Sequence, residues 1–136
     1  MISTTRREAM MGALAVPAMA GVPRWKPATA ALLVHDPALA AGRRVAEAHE
    51  GEVLAIEGDR IRFARAVFER RPSLVVGVSL AADALLIEEV GREAGYGAVD
   101  AGAGLREMVA AGERRDRGRA LGWVLAPNRQ PSSNYG

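Results

Sequence analysis

A chain of 136 residues, 49% hydrophobic and 25% charged, is globular in composition and long enough for one core-bearing domain and no more. It holds no cysteine, which excludes disulfides, thiolate metal sites, a lipidated cysteine and covalent haem attachment. The formal net charge of +2 singles out no class of partner.

Residues 1–20 read as an export signal. A polar start ends in Arg6-Arg7, a modestly apolar run extends from Ala9 to Ala20, and Ala18-Met19-Ala20 places small residues, Ala18 and Ala20, where signal peptidase reads them. The stretch Thr5-Arg6-Arg7-Glu8-Ala9-Met10-Met11 resembles the twin-arginine export motif, without the phenylalanine usual two positions after the pair. The run is shorter than the roughly 20 residues needed to span a bilayer, so the expected product is periplasmic or secreted, with no stable membrane anchor. Its first partner would be the export machinery. Cleavage takes the charge count from 18 basic and 16 acidic residues to 16 and 15, nearly neutral.

Residues 21–27, with two prolines, read as a linker, and a single domain is expected over 28–126. Ala28–Val34 is an apolar run without helical period, suited to a buried strand, and His35-Asp36-Pro37 leads into a helix over 38–49 with Asp36 as its N-cap. Val53–Ile56 predicts a second strand and Arg60–Arg71 a helix with Phe63, Ala64, Val67 and Phe68 on one face, stopped by Pro72. Leu74–Val78 is the most strand-like stretch, followed by a helix over 81–94 with Leu86 and Val90 one turn apart. Later the pattern weakens to a brief strand at 98–100, a short helix at 105–111, an exposed charged loop at 113–119 and a last strand at 120–125. The polar segment 127–136 reads as a disordered tail. Alternating strands and helices imply an α/β three-layer sandwich with a mainly parallel, flavodoxin/Rossmann-like sheet.

In such sheets ligands bind beyond the carboxyl ends of the strands, where chain order reverses. That rule selects His35 and Asp36 after the first strand, Glu57 and Asp59 after the second, and Ser79 and Asp83 after the third. Carboxylates and one imidazole suit a small polar ligand or a divalent cation. Asp36, Asp59 and Ser79 equally suit helix capping, which explains His35 least. Gly77-Val78-Ser79-Leu80-Ala81 looks like the nucleophile elbow of serine hydrolases with alanine for the last glycine; Ser79, His35 and Asp59 would form a reduced triad. That fold normally places its histidine after the serine, whereas His35 and His49 both precede it. Gly102-Ala103-Gly104 offers a backbone nest for an anion, though a flexible loop fits it better. Arginines cluster at 60–71 and 114–119, interleaved with acids or helical spacing as on a solvated face, so no nucleic-acid partner is expected.

A strand, the turn Gly58-Asp59, a helix, a further strand into a helix, and the late Trp123-Val124-Leu125-Ala126-Pro127 together resemble a group of small twin-arginine-exported bacterial α/β proteins of uncharacterised function, over roughly residues 30 to 127. The resemblance implies a fold and a compartment and carries no catalytic residue or cofactor. The expectation is an exported, non-enzymatic small-ligand-binding or accessory protein, with a co-exported protein or small molecule as partner, docked at Trp123 or at the arginine-rich segment 113–119. The alternative is a small periplasmic hydrolase working through Ser79 and His35 or through a carboxylate-bound metal.

Overall fold

The computed structural model describes residues 31–128. The export motif at Arg6 and Arg7, the cleavage site at Ala18 and Ala20, the linker 21–27 and the tail from 129 onward lie outside the described residues.

Four strand–helix units succeed one another: β1 (Leu32–His35) and α1 (Ala40–Ala48), β2 (Val53–Ala55) and α2 (Arg60–Glu69), β3 (Val75–Leu80) and α3 (Ala81–Glu93), β4 (Tyr96–Val99) and α4 (Ala103–Ala111). A one-turn helix, α5 (Glu113–Asp116), then leads into β5 (Ala120–Pro127). β1 and most of β3 are apolar at successive positions because helices cover both faces of the sheet.

The five strands form one sheet in the order β2-β1-β3-β5-β4. The α/β class holds, but the sheet is mixed where a mainly parallel one was expected. β1 pairs in parallel with β2 and with β3, while β5 lies antiparallel between β3 and β4. The cause is the connection through α4 and α5. The chain leaves β4 at the carboxyl edge and re-enters the sheet at that same edge, with Ala120 opposite Leu80, so β5 has to run backwards.

Side chains alternate between the two faces with the period of a strand. Leu32, Val34, Val75 and Leu125 point to one core, where Ala64, Val67 and Phe68 of α2 and Ile87 and Val90 of α3 cover them. Leu33, Val76, Val78 and Val124 point to the other, covered by Ala41 and Val45 of α1 and Leu105 of α4. These are the three expected layers.

Some expected boundaries move. β4 forms at Tyr96–Val99, where 98–100 was expected, because Tyr96 inserts beside Phe68 and donates its hydroxyl to the Pro72 carbonyl at 2.7 Å. β5 continues to Pro127, taking the first residue of the expected tail, and the Asn128 amide donates to the Gly95 carbonyl at 2.7 Å. On α3 the inward stripe runs through Ala84, Ile87, Val90 and Gly91, leaving Leu86 exposed. The charged segment 113–119, expected as a loop, contains α5 and a buried carboxylate, Asp116.

Candidate functional site

β1, β2 and β3 end on one edge, and the chain order reverses between β1 and β3, so the crevice rule points to the segments after those strands. His35 closes β1 and is 9% exposed; its Nδ1 has no hydrogen-bond partner among the described residues. Burial holds its pKa below the ordinary 6.5, with the neighbouring Asp36 carboxylate pulling the other way. Asp36 is buried and accepts from the Ala38 amide at 2.9 Å, which orders the turn before α1. It is not the N-cap of that helix. Leu39 stands at the cap with no side-chain bond, and the free amides of the first turn go elsewhere.

They go to Asp116. Its Oδ1 accepts from the Ala40 amide at 2.6 Å and its Oδ2 from the Ala41 amide at 2.9 Å, across 76 and 75 residues of sequence. A carboxylate at a helix N-terminus satisfies two orphan donors and meets the positive end of the helix dipole. Sequence reasoning missed it because local capping patterns look within a few residues. The signal was present only as one acid in a run of arginines.

Ser79 lies in β3 and is fully buried. Its Oγ accepts from the Trp123 indole Nε1 at 3.0 Å and donates to the Leu80 carbonyl at 2.9 Å. Gly77, two residues earlier, has no side chain because Trp123 fills that space: a Cβ there would stand 2.0 Å from the Trp123 Cζ2. The sequence Gly-Val-Ser is therefore a seat for an indole. The backbone confirms the distinction, since a nucleophile elbow needs a strained turn at its serine and Ser79 is a strand residue outside the positive-φ set.

The register also separates the expected triad. His35 stands opposite Val78, which faces the α1/α4 core, whereas Val75, Gly77 and Ser79 face α2 and α3. Ser79 and His35 thus occupy opposite faces of the sheet. Asp59 is exposed and caps α2, accepting from the Arg62 amide at 2.9 Å, an interaction that holds its carboxyl below the usual range. Glu57 is exposed in the preceding turn. Asp83, in the first turn of α3, is buried and paired through Oδ1 with the Arg60 Nε at 3.2 Å, while its Oδ2 has no partner among the described residues. The edge gathers these groups, but Asp36, Asp59, Ser79 and Asp83 are each bonded within the fold. That leaves His35 Nδ1, Asp83 Oδ2 and the exposed Glu57 with no bond among the described residues to join them. Among the described residues no three His, Asp or Glu side chains are placed to hold a metal ion.

Two concavities flank α4 instead. One, of about 400 Å3, runs between α4 and the start of β5, lined by Val109, Ala110, Ala120 and Leu121 with Arg106 and Glu113 at its rim. It forms because β4 meets β5 only from Val124 onward, leaving Ala120–Trp123 without a strand neighbour on that side among the described residues. The other, of about 700 Å3, lies between α1 and the α4–α5 turn and is lined by Arg44, Arg114 and Arg115 with Ala110, Ala111 and Glu113. Trp123, expected as an exposed docking residue, is half-buried and committed to Ser79. Gly102, expected in a flexible loop, precedes α4 at its N-cap with φ +87°, and Gly104 lies within the helix.

Comparison with known protein families, with curated proteins and with solved structures finds no match for this chain.

Proposed function

We propose that this is a twin-arginine-exported, non-enzymatic binding or accessory protein of the periplasm or extracellular space. The observation that carries the reading is the fate of Ser79. Its hydroxyl is buried, bonded in both directions and on the opposite sheet face from His35, which speaks against the serine form of the hydrolase alternative. Two open grooves lie beside α4, as expected of a surface that holds something without transforming it. The export signal supports the compartment, and the twin-arginine route, which carries folded proteins, suits a chain that has no disulfide to form outside.

Native mass spectrometry of the protein purified from its own host tests the reading. A mature mass beginning after Ala20, with an added small molecule or subunit, is expected. A bare, full-length monomer confined to the cytoplasm would overturn both compartment and binding role.

A further inference from the structure

We propose that the groove between α1 and the α4–α5 turn is an anion site for a compact ligand bearing a phosphate-type group with at least two negative charges. This rests on the binding reading and names its ligand chemistry.

Arg44 comes from α1 and Arg114 and Arg115 from α5, so two segments 70 residues apart bring three guanidiniums to one concavity of about 700 Å3 against a single carboxylate, Glu113. Four arginines elsewhere find acids: Arg60 pairs with Asp83, Arg70 with Glu52, Arg92 with Glu88 and Glu89, and Arg106 with Asp100. Other exposed arginines, such as Arg62 and Arg65, stand singly without an ion pair among the described residues; what sets this groove apart is that three converge on it. Arg44, Arg114 and Arg115 form no ion pair among the described residues, Glu113 included. Gathering like charges is unfavourable unless an anion offsets them, and a chain with nearly as many acids as bases has the means to neutralise them internally.

The mount is also fixed. Asp116, next to Arg115 and buried, bonds the Ala40 and Ala41 amides, and Arg44 stands one turn further along α1. Gly112 lets the α4–α5 junction lie against that turn, since a Cβ there would stand 3.0 Å from the Ala41 nitrogen. Ala110 and Ala111 leave the space between the arginines open. Guanidinium forks bind phosphate oxygens in pairs, and three of them carried on helices fastened to one another can close on one phosphate-type group. A polar, open groove fits a compact hydrophilic anion better than an apolar one.

Inorganic pyrophosphate is the probe, titrated calorimetrically and in thermal melts at low and raised salt. Vesicles of phosphatidylglycerol, with phosphatidylcholine as control, separate a headgroup from a soluble phosphate. The expected result is saturable, salt-sensitive pyrophosphate binding that raises Tm. It should weaken at least tenfold in Arg44→Gln/Arg114→Gln/Arg115→Gln and stay unchanged in Arg62→Gln/Arg65→Gln, circular dichroism verifying both folds. Binding to phosphatidylglycerol vesicles alone, lost in the triple variant, assigns the phosphate to a lipid headgroup. Binding to neither probe, or equal loss in both variants, overturns the groove. So does a host-purified triple variant that keeps the ligand carried by the wild type, and that outcome leaves the broader binding reading standing.

Discussion

The first amides of α1 have no acceptor within their own helix, and the leucine at its N-cap offers none. Asp116 supplies both bonds from the far end of the chain, so one buried carboxylate fastens α5 to α1. Asp116→Ala removes two charge-assisted bonds and leaves two amides unpaired, which should cost about 2–3 kcal/mol, with Asp116→Asn costing about half. Urea unfolding measures the loss, and hydrogen exchange at Ala40 and Ala41 should accelerate beyond what the global loss explains. Unchanged exchange at those amides would show that the cap is not what holds them. His35 makes a second single-residue prediction. Its pKa is lowered by burial, so the folded protein keeps the ring neutral where the unfolded chain binds a proton. The contribution is therefore complete above the ordinary 6.5 and is lost as pH falls from there through the lower folded value. Urea midpoints taken between about pH 7 and pH 5 should fall less steeply in His35→Gln than in the wild type. Parallel slopes would mean the stability loss has another source.

At the level of elements, β1 through α3 could be read from the sequence because their cues are local: apolar runs without helical period, Asp59 as a cap, Pro72 as a stop. β5 could not. Its direction depends on which edge the chain returns to after α4, and the residues that bear on it between 100 and 119, Leu105, Gly112 and Asp116, act through partners near residue 40. The same non-locality misled the reading of Ser79. Gly-Val-Ser has the spacing of an elbow, but the reason for glycine and serine there is Trp123 on the neighbouring strand, opposite Gly77. Gly77→Ala should therefore cost about 3 kcal/mol, because the added methyl occupies the position of the indole and the ring must leave Ser79 to make room. Trp123→Leu is also destabilising, through the cavity and the lost bond, but the double variant should be more stable than the two losses added together. Strict additivity in chemical denaturation would mean that residues 77 and 123 do not compete for the same space.

For the molecule as a whole, the chain holds no cysteine, so its folding needs nothing from an oxidising compartment and, under the proposed export, can finish before it. Both cores, the Asp116 strap and the Trp123 seat are made among residues 31–128, beyond the segment read as a signal. If the protein is exported by the twin-arginine route, as proposed, transport depends on the signal and on the folded state of the domain behind it. Arg6→Lys/Arg7→Lys should leave full-length protein in the cytoplasm without altering the unfolding midpoint of the purified domain. Gly77→Ala keeps both arginines but loosens the domain, and it should also reduce the mature form outside the cytoplasm, in proportion to the fraction unfolded at growth temperature. Fractionation and immunoblotting of the two variants beside the wild type read both effects. The combination is diagnostic, because a route that threads unfolded chains would be indifferent to Gly77→Ala and much less sensitive to a lysine pair. Normal export of both variants would remove the twin-arginine assignment, while retention of the arginine-pair variant alone would leave the signal in place and separate it from folding.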